Sequence, residues 1–320
     1  MRLYVIRRLL QFVPVMIAVS IIIFAIMRVL PGDVASLVIS GPGGTAAGAT
    51  PADIERVRKE LGLDRPLPEQ YLTWISGFVR LDAGNSIWTH SPVFDEISRR
   101  LPLTLELAVL TLLFSLLFAL PAGILSAMRQ DTWVDYFFRF FSVGGLTLPT
   151  FWTGTLVILA LVLVFRWIPP IGFVNFWEDP FKNLQQMVWP AAVLGYYFSA
   201  VVSRMTRSSM LEVLRQDYVR TAWAKGLKEK VVVMRHAMAN ALLPVITISG
   251  MQFGQLLGGT VVTETIFSLP GMGSQLIDAL VFRDYPIVQT VILIMSLWFL
   301  VVNLVVDLLY GLLDPRIRYS

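Results

Sequence analysis

Apolar residues in this chain fall in long, nearly charge-free runs rather than in the short alternations of a soluble core. The first run extends from Leu9 to Leu30 and is interrupted only by Gln11, Ser20 and Arg28. At about 1.5 Å per residue, a run of that length covers about 33 Å and crosses a hydrocarbon core of about 30 Å. Further runs lie at about 103–128, 140–165, 187–203, 237–262 and 287–313, the fourth being the shortest. The pattern predicts an all-α integral membrane protein with six transmembrane helices. Arg2, Arg7 and Arg8 precede the first run as they would in a signal sequence. The run is too long for a signal, however, and no small-x-small cleavage site follows, so it reads as a retained anchor.

Residues 31–100 separate the first two runs. Gly41-Pro42-Gly43-Gly44 reads as a flexible loop, and Ala52–Leu61 and Glu69–Arg80 read as short helices. Together they predict an insertion or cap rather than an independent domain.

Loop charges set the orientation. The segment after the fourth run carries Arg204, Arg207, Arg215, Arg220, Lys225, Lys228, Lys230 and Arg235 against Glu212, Asp217 and Glu229. The connection between the fifth and sixth runs has Arg283 against Glu264, Asp278 and Asp284. The N-terminus is basic, and Arg316 and Arg318 lie near the C-terminus. Positive charge concentrates on the cytoplasmic side, so both termini and the 204–236 segment are expected there, in a cell (inner) membrane, with 31–100 outside.

Composition agrees with this reading. The chain is 56% hydrophobic and only 15% charged, with mean hydropathy +0.68, against about 25% charge in soluble domains. A net charge of +4 would suit a nucleic-acid binder, but the basic residues sit in the gaps between apolar runs. Nine Trp suit two membrane–water interfaces. Without cysteine there are no disulfides and no thiolate chemistry, and two distant histidines, His90 and His236, give a metal site or a Ser-His-Asp triad little material.

Prolines 14, 121, 149, 190 and 244 fall in or near five of the runs. They read either as bendable points around a pathway or as ordinary membrane usage. In the fifth run Gly250, Gly254 and Gly258 recur every four residues, a strip that lets another helix approach closely. Gln252 and Gln255 lie off that strip; amides are unfavourable against lipid, so both are expected to face a partner helix or a pore. Glu106 and Asp307 are acidic residues inside the second and sixth runs, each expected close to a helix end and within reach of water or an arginine.

Residues 217–227, DYVRTAWAKGL, fit an amphipathic helix with Tyr218, Val219, Ala222, Trp223, Gly226 and Leu227 on one half and Asp217, Arg220, Thr221, Ala224 and Lys225 on the other. Such a helix lies on lipid headgroups or docks on a cytoplasmic partner. The stretch YVRTAWAKGL, followed by VVVMRHAMANALLPVIT, resembles the coupling motif of ABC-importer permeases, most closely the dipeptide/oligopeptide and nickel permease family. Thr221 stands where the general pattern has Glu, Ala222 and Trp223 stand at its two Ala positions, and Gly226 follows Trp223 by three rather than four. VIRRLLQFVPVMIAVSIIIFAIMRVLPGD, LGLDRPLPEQYLTWISGFVRLDAGNSI, RLPLTLELAVL, ETIFSLPGMGSQLIDALVFRDYPIVQ and NLVVDLLYGLLDPRIRYS are similar to the same family's first-permease ("B"-type) subunits.

The resemblance implies a type I importer permease fold and half of a pore for di- or oligopeptides. It also implies a homologous second permease subunit, two ATP-binding subunits and an extracytoplasmic solute-binding protein. Arg220, Thr221, Ala222, Trp223, Lys225 and Gly226, within a coupling loop at 212–236, would press against an ATPase. Ala222 and Gly226, one turn apart, would form a low-profile patch. Gly250, Gln252, Gly254, Gln255 and Gly258 are the pore or packing candidates. Pro270, Gly271, Met272 and Gly273 would give the 264–280 segment a turn, either dipping toward the pore mouth or simply connecting helices. The chain has no G-x-x-x-x-G-K-[ST] loop, so ATP and magnesium are expected on partner chains, with no cofactor or metal bound here. Relatives in the family carry peptides, glutathione, nickel or sugars. An ion-coupled secondary transporter would want deeply buried carboxylates or inverted repeats. A membrane enzyme or a signalling permease homologue would want a catalytic cluster or different partners.

Overall fold

The computed structural model describes residues 2–29, 33–40, 50–170 and 172–313. The predicted loop at Gly41–Gly44 and the terminal Arg316 and Arg318 lie outside the described residues. All regular elements among the described residues are helical, beside one isolated bridge between Asn85 and Pro92. In chain order they are α1 Arg2–Val29, α2 Val34–Ser40, α3 Pro51–Glu60, α4 Leu67–Val79, α5 Val93–Met128, α6 Trp133–Thr147, α7 Thr150–Leu163, α8 Pro180–Leu214, α9 Asp217–Ala224 and α10 Glu229–Val231. A π-helical turn, Val232–Ala237, leads into α11 Met238–Ile266, and α12 Met272–Val281 and α13 Tyr285–Leu313 follow. The chain forms two compact units, residues 2–102 with 271–298, and residues 103–270 with the chain from Phe299.

In the first unit the two short helices expected in the insertion are present as α3 and α4. The start of α3 follows from local chemistry. Thr50 accepts from the Asp53 amide at 3.3 Å while the Asp53 carboxylate accepts from the Thr50 amide at 3.1 Å, and Pro51 supplies a preset φ where no amide is needed. The C-terminal part of α1 enters the core of this unit through Ile23 and Met27, packed with Val34, Val93, Ile97, Met272, Val288 and Val291. Phe24, Tyr71 and Trp74 form an aromatic cluster, with Phe24 5.5 Å from Tyr71 and 6.2 Å from Trp74 between ring centroids.

In the second unit α8 is the central helix and packs on α6, α7 and α11. It is surrounded by protein: Met187, Ala191, Leu194, Gly195, Ser199, Val202 and Ser203 are all buried. A helix so enclosed does not need a lipid-grade apolar surface, which is why the fourth run was short. Four helices among the described residues, within α1, α5, the α10–α11 stretch and α13, are long and apolar enough to cross a membrane. A fifth span is obtained if α6 and α7 count as one.

That pair falls on the third predicted span. The apolar run 140–165 is broken into α6 and α7, which meet at 106°. Pro149 has no amide for an α6 hydrogen bond, and Leu148 before it takes an extended ψ of 124°. Elsewhere the helices outrun the apolar patterns: α5 begins at Val93 rather than 103, and α8 covers Pro180–Leu214 rather than 187–203.

Candidate functional site

The segment predicted to couple to a partner folds as α9, α10 and the π-turn. Val219 and Ala222 are buried against Val232, with Val213 and Leu214 around them. This fixes α9 to the base of α11, and Asn240 adds a hydrogen bond from Nδ2 to the Tyr218 hydroxyl at 2.8 Å. The π-turn is continuous with α11, its Met238 amide bonding to the Val233 carbonyl five residues back.

The geometry corrects the predicted docking patch in two ways. Ala222 faces inward rather than out. Gly226 is not on the helix at all: α9 ends at Ala224, Lys225 caps it, and Gly226 turns the chain with φ 75°, a conformation that favours glycine. The exposed surface is instead made by Arg220, Thr221, Trp223 and Lys225, next to a shallow groove of about 360 Å³ between Leu214, Arg215, Val219, Arg220 and Trp223. The Thr221 hydroxyl is turned back to the Asp217 carbonyl at 2.8 Å.

The glycine strip of α11 is used at two of its three positions. A Cβ at Gly250 would lie 2.3 Å from a Val306 methyl, and one at Gly254 would lie 3.3 Å from the Phe299 ring. Around Gly258 there is open space. Gln252 is buried and Gln255 is exposed.

Pro270 and Gly271 lead into α12 rather than into a loop, and Met272 and Gly273 are buried in its first turn. Gly271 is extended, with φ −93° and ψ −176°, so the relaxed backbone limits expected there are not used. The left-handed residue of the segment is Ser268, φ 53°.

Three polar arrangements were not anticipated. Asp135 on α6 is completely buried and holds Arg207 of α8 through two bonds, Nε to Oδ1 at 2.8 Å and Nη2 to Oδ2 at 2.7 Å. Ser126 of α5 donates to the same carboxylate at 2.5 Å. Glu264, counted above as a loop charge, is buried within α11 and accepts from the Thr104 hydroxyl at 2.9 Å. Glu106 sits more than three turns inside α5 rather than one turn from its end, where Asn183 of α8 donates to it at 3.2 Å. For Asp135 and Arg207 a signal existed: each lies a few residues outside a predicted span, both at the same expected membrane face.

Residues 119–319 match the family described as binding-protein-dependent transport system inner membrane component, and residues 1–108 match the N-terminal region of such membrane components. A Brucella abortus (strain 2308) protein provisionally named as a peptide transport system permease protein is 39% identical over 316 residues, 99% of each chain. The glutathione transport system permease protein GsiC of Escherichia coli (strain K12) is 41% identical over 317 residues, again 99% of each chain. This multi-pass helical chain therefore belongs to the family of binding-protein-dependent transport system inner membrane components and is a permease subunit of an ABC importer.

Proposed function

We propose that the chain forms half of the translocation pore for small peptides, and that α9 with its flanking turn receives the stroke of an ATP-hydrolysing partner subunit. The observation that carries this is the two-faced seating of α9. Its inner face, Val219 and Ala222, is locked to the π-turn below α11, while Arg220, Trp223 and Lys225 are exposed on the other side. A short helix so anchored transmits a push to a membrane-spanning helix rather than rolling freely on lipid. The peptide assignment draws on two relatives, one provisionally named for peptide transport and one named for glutathione, itself a tripeptide.

In this reading ATP hydrolysis takes place on separate chains, a second homologous permease completes the pore, and a solute-binding protein delivers the peptide outside. Both termini and residues 204–236 face the cytoplasm in this reading, which the excess of Lys and Arg there supports. Gln252 and Gln255 remain the pore or packing candidates of α11.

The test is uptake of labelled tri-alanine into proteoliposomes holding the chain with its co-purified partners. Uptake should require ATP and ignore an uncoupler. Reversing charge at Arg220 and Lys225 together should abolish uptake while the chain remains folded. Gly226 is a poor probe, because any side chain at φ 75° strains the turn. Full uptake by the charge-reversed variant, with no nucleotide-hydrolysing subunit bound to the complex, would remove the proposal.

A further inference from the structure

The first unit holds a partly open pocket of about 680 Å³ that the pore reading does not use. Its wall includes Arg28 near the end of α1, Gln70 and Trp74 of α4, and Tyr285 and Gln289 in the first turns of α13. The volume falls within the range of about 300–1,000 Å³ typical of small-molecule sites.

Carboxylates of Glu60 and Asp82 line part of the wall, but its unpaired buried atoms are of one kind. Three buried polar atoms of lining residues have no hydrogen-bond partner: Nη1 of Arg28, Nε1 of Trp74 and Nε2 of Gln289. All three are donors. Gln289 as a residue is only 3% exposed, so water does not serve its amide. Buried donors are nearly always paired in folded proteins, and three of one kind around one pocket call for a group that only accepts.

Arg28 defines the charge of that group. Its guanidinium lies 4.8 Å from the centre of the Phe24 ring and 4.7 Å from that of Tyr285, and Nε donates to Gln70 Oε1 at 3.0 Å. Gln70 is held in turn by its amide, which donates to the Arg65 carbonyl at 2.8 Å. No carboxylate among the described residues forms an ion pair with Arg28; Asp33, five residues on in the chain, is engaged by Arg58 at 3.0 Å. The cation is thus flanked by two rings and tethered through Nε to an amide, with Nη1 unengaged. A planar guanidinium in that state is suited to a carboxylate or phosphate oxygen pair.

The geometry points to a binding site for an oxyanion on a small molecule, with Arg28, Trp74 and Gln289 as its donors, and to a peptide C-terminal carboxylate as its occupant. The choice of carboxylate over lipid phosphate rests on the peptide-import reading. The three donors have no exposed surface in the unliganded protein, so the Arg28, Trp74 and Gln289 side chains turn toward the pocket as the ligand enters.

The experiment is calorimetric titration of the nucleotide-free complex, in nanodiscs of zwitterionic lipid, with tri-alanine and with tri-alanine amide, without the solute-binding protein. The acid should bind at least tenfold more tightly than the amide. Arg28→Met and Gln289→Leu should each erase most of that difference, and Trp74→Phe, which keeps the ring and drops only the N–H, should reduce it about threefold or more. The Phe variant preserves the packing and so remains informative if Arg28→Met fails to fold. Equal binding of acid and amide, or a difference unchanged in Trp74→Phe and Gln289→Leu, overturns the site. Loss of tri-alanine binding in discs containing phosphatidylglycerol, restored in Arg28→Met, would assign the donors to lipid phosphate and overturn the peptide occupant. Because no ATP is present, failure here leaves the uptake test of the importer reading standing.

Discussion

Arg207 grips Asp135 with two parallel hydrogen bonds, although 72 residues separate them in the chain. The pair is unequal: the Asp135 side chain is 0% exposed and that of Arg207 22%. Removing one partner of a buried ion pair costs about 3–5 kcal/mol, because the other is left charged and unpaired. The asymmetry predicts that Arg207→Met, which strands the sealed carboxylate, lowers thermal stability in detergent more than Asp135→Asn does. The double variant Asp135→Leu with Arg207→Met should regain most of the loss. Equal effects of the two single changes would show that the carboxylate reaches water.

At Gly250 the neighbour is a stiff β-branched residue, Val306, and a Cβ would meet both of its methyls, at 2.3 and 2.9 Å. Gly250→Ala should therefore destabilise by about 1–3 kcal/mol, the usual penalty of overpacking. Gly258→Ala, with open space around it, should change stability by no more than about 0.5 kcal/mol. Thermal unfolding of the two variants side by side checks the contrast.

Val219 seats α9 on the π-turn and is 1% exposed. Val219→Ala should weaken that seat by about 2 kcal/mol. The expected readout is faster amide exchange confined to residues 217–224, together with lower ATP-driven uptake at unchanged ATP binding. Unchanged exchange over that segment would mean that α9 is held by other contacts.

Asp284, just before α13, is 2% exposed and accepts from the Ser86 hydroxyl at 2.5 Å. Burial raises its carboxyl above the ordinary carboxylate range, against the opposing pull of the Ser86 hydrogen bond. With the folded value above the unfolded one, the folded state holds the proton more firmly. The penalty is absent below the unfolded value of about 4 and grows as pH rises to the raised folded value, above which it is fully present. Protease resistance of residues 82–91 should therefore fall as pH rises through that window. Asp284→Asn should flatten the dependence, and a slope that persists in this variant would point to another group.

The long apolar helices were legible in the sequence because lipid demands unbroken apolar surface; α1 and the apolar stretches of α5, α11 and α13 lie over the runs at 9–30, 103–128, 237–262 and 287–313. The fold became illegible where protein replaces lipid as the surroundings. Enclosed α8 tolerates Gly195, Ser199 and Ser203, so hydropathy understated its length. Pro149 signalled a break, but nothing in the run 140–165 encoded an angle of 106°. In the segment 217–227 the amphipathic wheel placed Val219 and Ala222 together correctly, yet it could not say whether their face looked in or out. It also carried the helix through Gly226, where a left-handed turn ends it. Charge counting treated Arg207, Glu264 and Arg28 alike, as signs of topology or as interruptions of a run, whereas the contacts of each depend on residues far away in the chain.

The π-turn at Val232–Ala237 takes in one more residue per turn than the helices on either side of it. Each residue advances an α-helix by about 100°, so the faces of α11 are offset by that amount from where an unbroken winding out of α10 would put them. Shortening the chain by one residue inside this turn would yield ordinary α-helix and preserve the orientation of Gly250 toward Val306. The same deletion at Thr247 would swing that glycine away from its neighbour. The stretch between α9 and α11 therefore tolerates a change of length that α11 itself does not.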